Sequence, residues 1–193
     1  IQLYLVYTGF KFIAGVIKAH EEHPNGGSYL FGFEESFGYL PGTYARDKDA
    51  VSAALLVCEA ATYYKKQGKT LLDAVEDMRR KYGYFLEYTE SLYMEGIDGM
   101  ERMKALMEHV AENPFRKIGN AEVLAYRNYN KSYREDYRTG EKTPIDMEPS
   151  NVLYFELENN GFLILRPSGT EPKIKVYFSV VGKSAADAQQ KLD

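Results

Sequence analysis

Cysteine, tryptophan and histidine are scarce in this chain of 193 residues, which has one cysteine, no tryptophan and three histidines. A single cysteine excludes a disulfide within the chain, and Cys58 lies in an apolar run where we expect a buried, unreactive thiol. His20, His23 and His109 have no cysteine or acidic partners at the spacing of a zinc site, and we expect them at the surface. The composition therefore argues against a disulfide scaffold or a zinc protein and favours a reducing compartment.

The sequence also lacks long apolar runs and an excess of basic residues. No run approaches the ~20 apolar residues that cross a bilayer, and the first residues do not have the basic start of a secretion signal. The net charge of -4 and the pI near 5.5 argue against a nucleic-acid partner. With 45% hydrophobic and 27% charged residues, we expect a globular cytoplasmic protein with neither a membrane nor a nucleic-acid partner.

Residues 1–33 have the pattern of a β–α–β unit. Residues 1–7 are apolar, Thr8 is placed to cap a helix, and residues 28–33 follow the Pro-Asn-Gly-Gly turn at 24–27. A strand, a helix and a strand over about thirty residues predict a parallel pair with a right-handed crossover. Two strands do not make a stable sheet alone, so we expect further strands upstream and regard the chain as a fragment.

Two helices are predicted next, one capped by Asp49 over residues 50–67 and one capped by Thr70 over residues 70–82, with Gly83 as the stop. From residue 84 the pattern changes to alternating strands and two helices, which predicts an α+β layer with its helices on one face. We therefore expect two domains, 1–83 and 84–193. The elements predicted in the second domain are a strand at 85–94, a helix at 99–111 capped by Asp98 with Met103, Leu106, Met107 and Val110 inward, a strand at 121–129, a polar connection at 130–149, a hairpin across Asn159 and Asn160, a strand at 174–181 and a helix capped by Ser184.

Residues 166–175, with the sequence Arg-Pro-Ser-Gly-Thr-Glu-Pro-Lys-Ile-Lys, concentrate donors that suit a phosphate group. Arg166 offers a planar fork, two hydroxyls flank Gly169, and Gly169 can turn neighbouring N–H groups inward. Because the segment lies between two strands, it is not a Walker A loop, which opens a helix. An ordinary surface turn uses the same residue types and remains an alternative at this point.

A second polar cluster, Gly-Phe-Glu-Glu-Ser-Phe-Gly at 32–38, follows the second predicted strand. Ligands of open α/β sheets bind beyond the carboxyl ends of the strands. Adjacent carboxylates with a hydroxyl suit the vicinal hydroxyls of a sugar. A general acid/base pair and plain solvated acids remain the alternatives.

These motifs resemble those of the α-D-phosphohexomutases, the family of the phosphoglucomutases and phosphomannomutases. Residues 166–175 resemble the family's phosphate-binding loop, and Glu34 and Ser36 match its sugar-binding Gly-Glu-x-Ser. Phe33 stands where the commonest pattern has glycine, which is typical of bacterial phosphoglucomutases. Lys48 matches the lysine of Arg-x-Lys-Asp, and Thr8 matches Thr-Gly-aromatic-Lys. The resemblance thus implies that the sugar is bound by Thr8, Glu34, Ser36 and Lys48, and the phosphate by Arg166, Ser168, Gly169, Thr170 and Lys175.

The resemblance implies the later part of a three-layer α/β third domain, followed by a C-terminal domain with a TATA-binding-protein-like fold. It implies an isomerase of carbohydrate metabolism that interconverts glucose 1-phosphate and glucose 6-phosphate through a phosphoserine, glucose 1,6-bisphosphate and Mg²⁺. The family's Ser-His-Asn-Pro and Asp-Gly-Asp-x-Asp-Arg loops do not occur in this sequence. We therefore expect no catalytic or metal-binding residue here, an inactive isolated chain, and missing N-terminal domains and a hexose phosphate as its partners.

Other activities remain open from the sequence. The Glu-Glu-Ser stretch favours glucose over mannose, but a phosphomannomutase or an enzyme of dual specificity would carry similar loops. A non-catalytic module that binds phosphosugars is a further alternative, because both predicted loops bind the substrate and neither supplies a reacting group.

Overall fold

The computed structural model describes residues 1–23, 27–34 and 37–193. The chain forms two compact units, which we call the N-terminal unit (Ile1–Glu76) and the C-terminal unit (Asp77–Asp193). None of the helices in the described residues combines the length and apolarity of a membrane span. The predicted domain boundary after residue 83 stays a prediction.

The N-terminal unit contains two helices and a short hairpin, and a third helix crosses its boundary. Helix α1 (Phe10–Glu22) precedes strands β1 (Gly32–Glu34) and β2 (Gly38–Leu40), which pair antiparallel. Helices α2 (Ala50–Lys65) and α3 (Leu71–Tyr82) follow. The hydrophobic cluster of this unit consists of Phe10, Ile17 and Leu40, with Ile13, Tyr29 and Ala45 packed against it.

The strand predicted for residues 1–7 is wrong for this structure. These residues have no strand pairing with the described chain, and the side chains of Ile1, Leu3 and Leu5 are exposed. A strand needs a hydrogen-bonded neighbour, and β1 pairs with β2 instead. The parallel pair predicted from the β–α–β pattern is therefore replaced by an antiparallel hairpin.

Three of the predicted caps have different outcomes. Thr8 does not cap α1: the helix begins after Gly9, whose backbone has φ of 126°, and within the described residues no side chain caps it. The Asp49 cap is confirmed, because its carboxylate accepts from the backbone N–H of Val51 at 3.0 Å. The Thr70 cap is confirmed as a reciprocal pair with Asp73, in which each side chain accepts from the other residue's N–H.

Helix α2 leaves its apolar side chains in solvent. Across the described length of this helix no residue is buried, and Val51, Leu55 and Val57 are all more than half exposed. Cys58 lies on this helix and is exposed, so the buried thiol expected from its apolar neighbours is wrong. An apolar run is buried only where another element covers it.

The C-terminal unit is an antiparallel sheet covered by two helices. The elements in chain order are β3 (Tyr84–Tyr93), α4 (Gly99–Glu112), β4 (Lys117–Ile118), β5 (Ala121–Asn128), β6 (Tyr133–Asp136), β7 (Lys142–Pro144), β8 (Leu153–Leu157), β9 (Phe162–Pro167), β10 (Lys173–Gly182) and α5 (Ala185–Leu192). The strands lie in the order β3-β10-β9-β8-β5-β6-β7, and short β4 pairs with β5. Every pairing is antiparallel.

The core lies on the face of the sheet that α4 covers. Met103, Met107 and Val110 of α4 are buried with Phe155 and Tyr126 of the sheet. Helix α5 packs on the same face, where Ala188 lies against Gly182. The expectation of an α+β layer with helices on one face is confirmed.

Three details of the second domain differ from prediction. Leu106, expected to face inward, is 39% exposed. Asp98 precedes α4 without making a side-chain cap bond to the described chain, and pairs with Arg102 at 3.2 Å instead. The connection predicted at 130–149 contains strands β6 and β7, which are short and mostly polar and so give no hydrophobic signal.

Two predicted local features are confirmed. Asn159 and Asn160 have left-handed φ values of 57° and 63° in the tight connection between β8 and β9. Ser184 caps α5, because its hydroxyl accepts from the N–H of Asp187 at 3.2 Å.

Candidate functional site

The loop between β9 and β10, residues 168–172, is held at both of its ends by backbone hydrogen bonds. The N–H of Ser168 donates to the carbonyl of Lys173 at 2.9 Å, and the N–H of Met94 donates to the carbonyl of Pro172 at 2.8 Å. The second bond ties the loop to the residue that follows β3. The loop is therefore closed onto the first residue of β10 and tied to the residue that follows β3.

Arg166 and Lys175 form a pair of cations beside this loop. They lie directly opposite each other on β9 and β10, so their side chains leave the same face of the sheet. Both are half-buried, and among the described residues neither has an ion pair or a side-chain hydrogen bond. Two adjacent positive charges without acidic partners attract an anion.

The two hydroxyl residues and Gly169 occupy the tip of the loop. The Ser168 hydroxyl accepts from the N–H groups of Thr170 and Glu171 at 3.4 and 3.3 Å. Its proton remains available, because a hydroxyl has one donor in addition to its acceptor sites. Within the described chain nothing lies within 4 Å of a Cβ built on Gly169, so a ligand can approach this backbone closely.

Lys173 and Glu171 also line the loop, although the sequence analysis did not select them. Their side chains form an ion pair at 2.6 Å, and this contact with Glu171 raises the pKa of Lys173. The ammonium group of Lys173 also lies 5.3 Å from the centre of the Tyr93 ring. Alternation along β10 places Lys173 on the face of Lys175, which is a signal that the sequence contains.

These residues surround a cavity of about 310 Å³. Its walls bring together every residue that the sequence predicted for phosphate binding in this unit. With the Glu171–Lys173 pair neutral as a whole, Arg166 and Lys175 leave the cavity with an excess of positive charge. The lining residues are Arg166, Pro167, Ser168, Gly169, Thr170, Glu171, Lys173 and Lys175.

A second polar cluster lies in the N-terminal unit at the end of β1. The Glu34 carboxylate, whose side chain is 9% exposed, lies 3.6 Å from the ammonium group of Lys48. Lys48 also donates to Asp47 at 2.9 Å, and this hydrogen bond raises the pKa of Lys48. The cluster therefore places carboxylate acceptors next to an ammonium donor, as recognition of a polyol requires.

The backbone around Lys48 is fixed by neighbouring contacts. The N–H of Asp49 donates to the carbonyl of Tyr39 at 2.9 Å, which anchors the loop to β2. The ammonium group of Lys48 lies 5.5 Å from the ring centre of Phe10, a core residue that is 3% exposed. Phe10 and Asp47 thus support the cluster, and the sequence analysis selected neither of them because their role depends on tertiary contacts.

Two of the predicted sugar-binding residues are not placed in this cluster. Thr8 is exposed and makes no hydrogen bond to the described residues, but it lies two positions before Phe10. Ser36 lies outside the described residues. The roles of both residues stay predictions.

The described residues contain no group of three or more histidine, cysteine, aspartate or glutamate side chains placed to hold a metal ion. Lys48 has an aspartate on each side in the sequence. Its ammonium group lies against the carboxylates of Glu34 and Asp47 and occupies the space between them. The residues present therefore do not fit a magnesium site.

Comparisons with known proteins place both units in one family. Residues 1–82 match the family model for phosphoglucomutase/phosphomannomutase α/β/α domain III, and residues 131–191 match the model for the C-terminal domain of the same enzymes. The phosphoglucomutase of Staphylococcus aureus strain MRSA252 is 39% identical over 190 residues, which cover 97% of this chain and 33% of that enzyme. The phosphoglucomutase of strain USA300 is 38% identical over the same share of each chain.

A solved structure shares the fold at a lower sequence identity. The exocytosis-sensitive phosphoprotein pp63/parafusin of Paramecium, described as a phosphoglucomutase in an open form, superposes with a TM-score of 0.64 at 18% identity. The match covers all of this chain and 32% of that protein. The chain thus spans about a third of the length of the relatives it matches. By its two domain matches and its relatives, the chain belongs to the phosphoglucomutase/phosphomannomutase family and contains sequence of its third and C-terminal domains.

Proposed function

We propose that this chain is the substrate-recognition part of a phosphoglucomutase that interconverts glucose 1-phosphate and glucose 6-phosphate. The observation that carries the proposal is the pair of cations Arg166 and Lys175, which line the cavity and have no acidic partner in the described part of the chain. In this proposal, the C-terminal unit binds the phosphate group that is not being transferred, and the N-terminal unit binds the hydroxyl groups of the sugar.

The phosphate role is supported by the chemistry of the cavity. Arg166 presents two parallel N–H donors to two phosphate oxygens, and Lys175 supplies a point charge from the opposite strand. The free proton of Ser168 and the exposed N–H of Gly169 are further donors at the loop tip. Because these groups recognise charge and shape, either end of a bisphosphorylated sugar would fit the same cavity.

The sugar role is supported by the arrangement of Glu34 and Lys48. A carboxylate accepts two hydroxyl protons, while an ammonium group donates to hydroxyl oxygens. Vicinal hydroxyls of a hexose present both kinds of partner at neighbouring positions. In this proposal Thr8 and Ser36 complete the contacts to the sugar.

The proposed reaction needs two further parts, a phosphoserine that exchanges its phosphoryl group with the sugar and a Mg²⁺ ion that neutralises developing charge. The described residues do not fit a magnesium site, and the sequence lacks the family's serine loop. We therefore assign both parts to domains outside this chain. The residues of this chain bind and orient the substrate, and the isolated chain is proposed to be inactive and cytoplasmic.

Glucose is the proposed hexose because the sequence reads Gly-Phe-Glu-Glu-Ser at 32–36 and the relatives at 38 to 39% identity are phosphoglucomutases. Mannose phosphates remain the alternative substrates. A competition experiment between glucose 1-phosphate and mannose 1-phosphate in the full-length enzyme distinguishes these two possibilities.

A heteronuclear NMR titration of the 193-residue chain tests the proposal. We expect inorganic phosphate and glucose 1,6-bisphosphate both to shift the amide signals of Gly169 and Thr170. The bisphosphate alone should also shift the amide signal of Glu34. Replacing Arg166 or Lys175 with alanine should weaken phosphate binding by about tenfold or more, because a hydrogen bond to a charged group contributes about 1.5–3 kcal/mol.

Lys183→Ala provides the matched control, because it removes an exposed lysine of the same unit that lies outside the cavity. Its phosphate affinity should equal that of the unmodified chain. Equal weakening by Lys183→Ala and Lys175→Ala would show non-specific attraction to positive charge and contradict the proposed site. Mutase turnover by the pure chain would contradict its assignment to recognition alone.

A further inference from the structure

Gly38 lies at the centre of the cluster formed by Glu34 and Lys48. It is the first residue of β2 and pairs directly with Glu34, the last residue of β1. Side chains of directly opposite residues leave the same face of a hairpin. A side chain at position 38 would therefore occupy the space beside Glu34.

That space is filled by the side chain of Lys48. A Cβ built on Gly38 would overlap Cδ of Lys48 and would lie 2.7 Å from its Cγ and 2.9 Å from Oε2 of Glu34. These three nearest atoms all belong to the two side chains of the candidate sugar site. Real Cβ atoms do not approach other atoms so closely, so any side chain at position 38 must displace Lys48 or Glu34.

The backbone of Gly38 gives no other reason for a glycine. Its φ does not lie in the left-handed region, in contrast to Gly9 and Gly27 of the same unit. Alanine can therefore adopt this conformation, and the expected clash involves flexible side-chain atoms rather than backbone. Lys48 is 46% exposed and keeps Asp47 as a partner, so it can swing away from Glu34 toward solvent.

We infer that Gly38 is a positioning residue, whose missing side chain lets Lys48 cross β2 and reach Glu34. This inference deepens the proposed function and depends on it only for its effect on sugar binding. Gly38→Ala should separate the two charged groups while leaving both in the chain. Its effect on the sugar site should therefore resemble the loss of Lys48.

The first experiment measures the geometry without any ligand. Lys48 is titrated by NMR through its side-chain carbon signals in the unmodified chain and in Gly38→Ala, each with and without Glu34→Gln. In the unmodified chain, Glu34→Gln should lower the pKa of Lys48, because it removes a nearby negative charge. In Gly38→Ala the same substitution should leave the pKa of Lys48 unchanged, and an equal decrease in both backgrounds would overturn the inference.

The second experiment measures binding of glucose 1,6-bisphosphate and of inorganic phosphate to the same chains. Gly38→Ala and Lys48→Ala should each weaken bisphosphate binding by about tenfold, as expected for one hydrogen bond to a charged group. The double variant should bind as weakly as either single variant, because both changes remove the same contact. Independent, additive losses would indicate a merely structural role for Gly38 and overturn the inference.

Two controls distinguish a failure of this inference from misfolding of the variants. A further outcome distinguishes it from a failure of the proposed function. Gly15→Ala changes a glycine of α1 that has open space around its Cβ within the described structure, and it should change neither measurement. Lys48→Ala removes the two closest overlaps, so Gly38→Ala should lower the melting temperature less in the Lys48→Ala background than in the unmodified chain. If the unmodified chain binds the bisphosphate no more tightly than phosphate, the proposed sugar site is wrong, and the pKa experiment still decides the role of Gly38.

Discussion

In the N-terminal unit Lys48 lies between the carboxylates of Glu34 and Asp47, whereas in the C-terminal unit Arg166 and Lys175 face each other with no acidic partner among the described residues. The first arrangement has one more carboxylate than ammonium groups and offers both donors and acceptors, which suits hydroxyl groups. The second arrangement retains positive charge, which suits a phosphate group. The contrast teaches that the pairing of charges, and not their number alone, decides which kind of ligand group each cluster suits.

The cores of the two units differ as well. In the described chain the buried hydrophobic cluster of the C-terminal unit contains twelve residues, and that of the N-terminal unit contains three. The loop of residues 168–172, which we call the anion loop, is tied to strands of the larger core, while Lys48 lies over Phe10 of the smaller one. We therefore expect the phosphate cavity to be rigid and the sugar cluster to depend on a few contacts.

The largest expected effect comes from truncating one fully buried leucine in each unit. Leu40→Ala and Leu153→Ala should each cost about 2–5 kcal/mol, because both leave a cavity. The smaller core cannot absorb such a loss, so Leu40→Ala should abolish amide protection in α1 and β2. Leu153→Ala should reduce protection throughout the C-terminal unit but retain it. Hydrogen exchange measured by segment checks this, and persistent protection of α1 in Leu40→Ala would contradict the difference between the cores.

A smaller effect is expected from Gly99→Ala at the start of α4. A Cβ at this position would overlap the carbonyl oxygen of Met94 and lie 3.0 Å from Cβ of Pro172. Because Met94 donates to the carbonyl of Pro172, the added methyl group should push the anion loop away from its anchor. We expect a loss of about 1–3 kcal/mol in unfolding free energy together with weaker phosphate binding.

Thermal unfolding and phosphate titration of Gly99→Ala check this prediction. Gly15→Ala is its control, since alanine in an open helical position should preserve or slightly increase stability. Unchanged phosphate affinity in a destabilised Gly99→Ala would show that the cavity does not depend on the packing of its loop.

The smallest expected effect concerns the ion pairs on the open face of the C-terminal sheet. Glu156 accepts hydrogen bonds from Arg134 at 2.8 Å and from Arg127 at 2.6 Å. Both bonds lower the pKa of Glu156, and the bond from Arg134 has the larger effect. Its stabilisation is therefore present above the pKa of Glu156 in the unfolded chain and is lost as the pH falls through the folded pKa. Glu156→Gln should cost about 1–2 kcal/mol at neutral pH and nothing at acidic pH.

Chemical denaturation over a range of pH measures this difference. Glu22→Gln is the matched change in the N-terminal unit, where Glu22 pairs with Lys18 at 3.7 Å with both side chains mostly exposed. Exposed pairs contribute little, so this variant should match the unmodified chain at every pH. A stability difference for Glu156→Gln that persists in acid would indicate lost packing rather than lost charge.

The sequence was sufficient to predict local structure where the interactions that cause it lie within a few residues of each other. The Asp49 and Thr70 caps follow from side chains that reach their own backbone. Asn159 and Asn160 tolerate left-handed backbone and so predict the tight connection. Thr8 failed as a cap because Gly9 occupies the position just before the helix, with a φ of 126° that favours glycine.

Signals that depend on a distant partner were not sufficient. We predicted burial for residues 1–7 and for the residues around Cys58 because they are apolar. Burial, however, requires a covering element that their own sequence does not specify. Strands β6 and β7 were missed because both are short and mostly polar and so carry no hydrophobic alternation. The role inferred for Gly38 depends on Lys48, ten positions later, and is likewise invisible to local pattern.

The sequence by itself determined the chemical groups of both loops, most of the helices and the hairpin that precedes the anion loop, because these depend on neighbours in the chain. Only the tertiary structure decided that Arg166 faces Lys175, that Glu171 neutralises Lys173, and that Lys48 crosses Gly38 to Glu34. Strand register and loop anchoring set which charges remain unpaired. The difference between the two clusters, one with paired charges and one that keeps positive charge, is therefore a property of the fold acting on residues that the sequence had already supplied.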